Sequence, residues 1–144
     1  MLRKDHVVFV DQVAGSHRLR AVSAVGERFP LYSTANGKAC LALLADAEVR
    51  HRLKNQVLTT AAGRIRSVAS LIKELNEVRR TGIARDEEEH SQGISAVGSA
   101  FRDQTGTIYA ISIPVPTSRY RANLERIAPL LLKSRDRLRE ILGT

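Results

Sequence analysis

Residues 94–101 and 107–115 are two strand-length runs of small, β-branched and aromatic residues, separated only by Arg102 and the turn Asp103-Gln104-Thr105-Gly106. A connection this short returns the chain antiparallel, because parallel neighbours need a crossover of roughly a dozen residues or more. The same logic holds near the N-terminus. Residues 6–13 are β-branched and apolar, Ala14-Gly15-Ser16-His17 supplies turn chemistry, and residues 19–24 alternate as a second strand until Val25-Gly26-Glu27-Arg28-Phe29-Pro30 breaks it. Two hairpins commit the chain to an antiparallel sheet.

Helical periodicity fills the rest. A helix is expected from Ser33 or Thr34, where a hydroxyl can cap the free N–H groups of the first turn, to about residue 45. A second runs over residues 46–54, with Asp46 as its cap and Val49 and Leu53 at i, i+4. Residues 58–63 read as loop. A longer helix starts near Ser67, carries Val68, Leu71, Ile72, Leu75 and Val78 on one stripe, and stops at Gly82. Tyr120, Leu124, Ile127, Leu131, Leu138 and Ile141 mark a C-terminal helix, where Pro129 predicts a kink or a late start. The order ββ–α–α–α–ββ–α, joined by hairpins, is an α+β arrangement with helices on an antiparallel sheet.

Composition narrows the partners. The 144 residues suffice for one domain with its own core, and no apolar run approaches a membrane-spanning length. No signal peptide is visible, and Cys40 is the single cysteine, so a reducing compartment, the cytoplasm, is expected. The net charge is +8, with 18 arginines against five lysines scattered along the chain, and only three Phe, three Tyr and no Trp are available to stack on bases. That pattern favours a solvated basic surface over a nucleic-acid face.

Two strings stand out chemically. Pro30-Leu31-Tyr32-Ser33-Thr34-Ala35-Asn36-Gly37-Lys38-Ala39 opens a helix with small residues, so backbone N–H groups there are accessible to a carboxylate or phosphate, although the Walker spacing is absent. An ordinary capped helix packing its small residues on the sheet is the competing reading. The second string, Asp86-Glu87-Glu88-Glu89-His90, gathers four of the fifteen acids into what reads as a solvated loop. The histidines are dispersed, none pairs at metal-ligand spacing, and Cys40 sits on an apolar helix as a buried thiol. No catalytic or metal-binding set is expected.

Three pieces in order resemble one family. Gly26-x-x-x-Pro30-Leu31-x-x-Thr34-Ala35-x-Gly37-Lys38-Ala39 is the first. Leu75-x-x-Val78-Arg79-Arg80-x-Gly82-Ile83-Ala84-x-Asp86-x-Glu88-Glu89-x-x-x-Gly93 is the second, and Asp103-x-x-Gly106 leading into residues 108–112 is the third. Together they are similar to the C-terminal effector-binding domain of the isocitrate-lyase-regulator (IclR) family of bacterial transcription regulators, over essentially the whole chain. The resemblance implies a GAF-like α+β domain with a central antiparallel sheet of about six strands. It implies no enzyme activity and no cofactor. It also implies a small organic acid or aromatic effector, anionic in the simplest case. Assembly would be as a homodimer or homotetramer, with DNA contacted only through an N-terminal winged helix-turn-helix domain that nothing before His6 resembles. The chain is therefore expected to be a single effector-binding domain, 1–144, read as a fragment of such a regulator. By the same resemblance, Ala35 and Asn36 present backbone N–H groups to the effector, Asp86 lines the pocket, and Ile94 and Ser112 add a wall and a hydroxyl. The chain departs from the family pattern at Ala96, where many members have cysteine, and at Ser99-Ala100-Phe101-Arg102 and Ile113-Pro114-Val115.

Three rival readings make specific demands. A stand-alone GAF-like binding module would lack any attached DNA-binding domain. A direct nucleic-acid binder would use Arg119, Arg121, Arg126, Lys133, Arg135, Arg137 and Arg139 on the last helix, and an enzyme would use Asp86, Glu89 and His90 as its acid–base set.

Overall fold

The computed structural model describes residues 1–11 and 25–142. Its organising element is the hairpin of β6 (Ile94–Arg102) and β7 (Ile108–Pro116), antiparallel in register from Ile94 opposite Pro116 to Arg102 opposite Ile108. The Asp103 carboxylate closes the turn by accepting from the N–H groups of Thr105 at 2.8 Å and Thr107 at 3.0 Å, and Gly106 takes the left-handed φ of 85°. On the other edge of β6 lies β5 (Ala84–Glu87), paired from Ala84 opposite Gly98 to Glu87 opposite Ser95.

That third strand corrects the expectation of a loop. Ala84 and Asp86 are buried while Arg85 and Glu87 are exposed, a period of two that the charges conceal in the sequence. The remaining strands are short: β1 (His6–Val8) with β2 (Arg28–Pro30), and β3 (Leu58–Thr59) with β4 (Ile65–Arg66). Among the described residues the sheets therefore have three, two and two strands, in place of one sheet of about six. The α+β class and the antiparallel pairing hold. The first hairpin expected from the sequence lies largely outside the described residues; β2 occupies the end of the stretch expected to break it. The β3–β4 pair replaces part of an expected loop, and two-residue strands are too short to announce themselves by alternation.

The two faces of the three-stranded sheet have different jobs. Val97, Ile111, Ile113 and Val115 lie under α4 (Thr117–Ile141), packing with its Tyr120, Ile127 and Leu131. Polar pins fix that helix. Ser95 Oγ meets Thr117 Oγ1 at 3.0 Å, and Ser99 Oγ donates to the Gly82 carbonyl at 2.6 Å while accepting from Arg135 Nη1 at 3.0 Å. α4 begins directly after β7 and runs through Pro129 rather than starting late. Pro129 is exposed, so the missing N–H falls on the solvent side of the helix.

The opposite face receives α1 (Ala35–Ala42), followed by α2 (Asp46–Leu53) and α3 (Val68–Thr81). α1 is buried on nearly every side, which its small residues allow. A Cβ at Gly98 would sit 2.8 Å from the Ala35 carbonyl carbon, so α1 starts in contact with the backbone of β6. Its C-terminal carbonyls are taken by arginines: Arg79 donates to Ala42 O at 3.0 Å and Leu44 O at 2.9 Å, and Arg102 to Leu43 O at 3.1 Å. α3 is the helix the sequence describes best, capped by Ser67, striped by Leu71, Ile72, Leu75 and Val78, and ended by Gly82 at φ 78°. α2 is not capped by Asp46. Ala45 occupies the N-cap without a side-chain bond, and Asp46 instead pairs with Arg79 at 2.9 Å.

Candidate functional site

Strand periodicity sets one wall of a cavity. Asp86, Ala96 and Pro114 face one another across three strands, and the neighbouring row pairs Gly98 with Ser112. Gly98 leaves room for the start of α1, so Ala35 and Asn36 come down beside this wall. The space left is about 330 Å³, and Phe9 and Phe29 of the N-terminal segment, with His90 and Ser91 of the loop after β5, line a third side. All five residues singled out in the sequence, Ala35, Asn36, Asp86, Ile94 and Ser112, line this one cavity.

The helix opening is built by Thr34. Its Oγ1 accepts from Gly37 N–H at 3.0 Å and donates to the Pro30 carbonyl at 2.8 Å, which turns the Pro30-to-Thr34 segment back onto the helix. Gly37 is needed for that turn, since a Cβ there would lie 2.5 Å from the Leu31 backbone. With Gly37 capped by the threonine, the N–H groups of Ala35 and Asn36 have no acceptor within the helix. Asn36 Oδ1 is itself buried without a hydrogen-bond partner.

Asp86 is 5% exposed. Burial pushes its carboxyl up to about 6, against the Glu89 N–H that it accepts at 2.8 Å; the Glu89 carboxylate adds to the rise and Lys38 opposes it. His90 is held below the usual imidazole range by burial, its ring edge-on to Phe29 with centroids 5.0 Å apart. Phe29 in turn meets Phe9 at 4.7 Å.

Sequence reasoning missed the cluster beneath this cavity. Lys38, 1% exposed, reaches Glu74 and Glu89 at 2.7 Å each, and Arg66 reaches Glu74 at 2.9 Å and Glu89 at 3.6 Å. Burial opposes ionisation of Glu74, yet Lys38 and Arg66 together hold its carboxyl below the usual range. The available signal was a lysine among the small and apolar positions of α1. Glu89 is accordingly not part of a solvated turn as expected, whereas Glu87 and Glu88 are exposed. The acid–base trio of the enzyme reading is dismantled in the same way, with Glu89 tied to Lys38.

Other sequence candidates settle elsewhere. Cys40 is fully buried, and burial pushes its thiol up to about 12, so it offers no thiolate. Among the described residues no three His, Cys, Asp or Glu side chains are grouped to hold a metal ion. On α4, Arg135 is anchored to Ser99 and Asp136, and Arg126 to Asn123, so the basic set does not form one free face.

The chain matches the family described as bacterial transcriptional regulator IclR C-terminal, over residues 1–139. It is 43% identical to the HTH-type transcriptional regulator Rv1719 of Mycobacterium tuberculosis over 132 residues, 92% of this chain and 51% of that protein. It is 30% identical to the HTH-type transcriptional regulator TtgV of Pseudomonas putida, over 99% of this chain and 54% of that one. The chain thus spans about half the length of these relatives. Among solved structures, the Thermotoga maritima IclR superposes with a TM-score of 0.87 at 28% identity, covering 99% of this chain and 59% of that one. The C-terminal domain of Escherichia coli KdgR does so with a TM-score of 0.81 at 28% identity, covering 99% and 84%.

Proposed function

The chain belongs to the IclR C-terminal family of bacterial transcriptional regulators, and on that premise we propose that its effector seats in the cavity between the start of α1 and the β5–β7 wall. The domain is regulatory rather than catalytic, as relatives named transcriptional regulators indicate. The observation that carries the proposed site is convergence. Ala35 and Asn36, Asp86, and Ile94 with Ser112 come from distant parts of the chain, and all line one cavity of a size suited to a small organic molecule.

In this reading the effector is a small organic acid or an aromatic compound, bound by the Ala35 and Asn36 N–H groups, the Ser112 hydroxyl and Asp86. Binding favours one arrangement of a homodimer or homotetramer, and so changes how winged helix-turn-helix domains outside this chain are presented to DNA. The regulator works in the cytoplasm, where its DNA is; no described helix is long and apolar enough to cross a membrane.

A thermal-shift screen against small carboxylic acids and aromatic compounds tests the site. A ligand that binds only the native state raises Tm with concentration. Asn36→Trp and Ser112→Trp are expected to fold and to lose that response. An undiminished response in both variants would place the binding elsewhere.

A further inference from the structure

The net charge of +8 gathers in one place that the effector reading does not use. An open groove of about 1070 Å³ lies at the far end of the β6–β7 hairpin, between residues 1–5, α2 with the turn after it, and residues 106–109. It shares no described lining residue with the effector cavity. Ala96 of that cavity and Arg102 of this groove are six residues apart on β6, roughly 20 Å along an extended strand.

Five cations line the groove, Arg3, Lys4, Arg52, Lys54 and Arg102, against two acids, Asp5 and Glu48, a formal excess of +3. The chain's own N-terminal ammonium, which donates to Val8 O at 2.9 Å, is not counted in that excess. Both acids already have partners. Glu48 accepts from Arg52 at 2.8 Å, and Asp5 meets His6 Nδ1 at 2.8 Å. Arg52 also donates to the carbonyls of Arg3 at 2.9 Å and Lys4 at 3.1 Å, which fixes their segment against α2. Arg102 donates only to carbonyls, Leu43 O at 3.1 Å and Gly106 O at 3.4 Å, so no carboxylate offsets its charge. Among the described residues no carboxylate lies within ion-pair distance of Arg3, Lys4 or Lys54. The sign of the charge does not depend on the remaining residues: 12–24 carry Arg18 and Arg20 and no acid, and 143–144 carry no charged side chain.

A single solvated ion pair contributes little, so no one of these side chains would hold an ion by itself. Cations on three separate segments, at residues 3–4, 54 and 102, are matched by an anion with several charges, which also relieves their mutual repulsion. The concave shape and the volume suit a small molecule, and the buried Leu44 and Ile108 add apolar surface for its body. We propose that this groove is a second binding site, independent of the effector cavity, for a small molecule carrying two or more negative charges on phosphate or carboxylate groups.

Amide NMR of the 144-residue chain tests this, with sodium pyrophosphate, citrate or acetate titrated at pH 7.5 and the ionic strength held at about 0.15 M. Pyrophosphate or citrate is expected to give saturable shifts at residues 2–5, 51–56 and 106–109 with a Kd below about 1 mM, leaving Ala35 and Asn36 unmoved, and the tighter of the two identifies the charged group. Lys4→Gln combined with Lys54→Gln is expected to weaken that binding at least about fivefold. Lys73→Gln combined with Lys133→Gln removes the same charge from exposed positions elsewhere and is expected to change it less than about twofold. Equal weakening in the two double variants would reduce the effect to net charge and overturn the site, as would the absence of saturable shifts by about 5 mM of either polyanion. Acetate binding as tightly as pyrophosphate would overturn the multivalent class. A short DNA duplex that saturates the same amides at lower concentration than either small anion would overturn the small-molecule class in favour of nucleic acid.

Discussion

Lys38 is the residue whose chemistry reaches furthest. Its ammonium group is buried between two carboxylates, a geometry in which removing one partner leaves uncompensated charge in a poorly solvated place. Lys38→Met is therefore expected to lower stability by about 3–5 kcal/mol in urea unfolding, and the cost should shrink when Glu74→Gln and Glu89→Gln are added. A single variant within 1 kcal/mol of the parent would contradict the role assigned to the cluster. Asp86 acts with the opposite sign. Its carboxyl titrates near 6 in the folded chain against 3.8 as the ordinary value, so the folded state binds more protons in that window. The contribution of Asp86 to stability thus falls as pH rises from about 4 to 6 and stays unfavourable above. Asp86→Asn is expected to stabilise the unliganded domain by on the order of 1–3 kcal/mol at pH 8, with the gain vanishing near pH 4. A gain that does not change with pH would refute the burial argument. Neither behaviour was legible in the sequence, where Lys38 was one letter in a small-residue string and Asp86 one acid among four.

Elements were legible in proportion to how regularly they repeat. α3 shows a full apolar stripe with a serine at one end and a glycine at the other, and its limits follow within a residue. β6 and β7 follow from their turn. β5 did not, because the alternation of Ala84, Arg85, Asp86 and Glu87 places a carboxylate where a hydrophobic residue would have announced a strand. Read without the family resemblance, the four acids are equivalent; pairing with β6 is what turns Asp86 inward. α1 is a helix defined by approach rather than by pattern, since it touches backbone at both Gly37 and Gly98. Gly98→Ala is expected to destabilise the domain by about 2 kcal/mol or more, because its neighbour is the Ala35 carbonyl and not a side chain that can swing away. The same change should weaken ligand binding by displacing the start of α1. Gly106→Ala, with open space around its Cβ, should cost only the strain of its left-handed backbone, readable as a smaller loss in the same denaturation experiment.

At the scale of the whole molecule, one three-stranded sheet separates two functions. Its α4 face is closed by apolar packing and by the Ser95 and Ser99 pins; its other face is hollowed by small residues and an inward acid. The sequence conveyed the α+β class and the five cavity residues, the latter through family resemblance, because the helix string and the acidic loop keep their spacing. It conveyed neither the division into small sheets nor the buried ion-pair cluster of Lys38, which depend on contacts between distant segments, such as Lys38 and Glu89, 51 residues apart. The central claim, that ligand binds where α1 meets the β5–β7 wall, is tested most directly by backbone amide NMR during titration with a small carboxylic acid or aromatic compound that raises Tm in the thermal-shift screen. Shifts concentrated at Ala35, Asn36, Asp86, Ile94 and Ser112, saturating together, are the expected result. Saturable shifts concentrated on α4 instead, with those five amides unmoved, would contradict it.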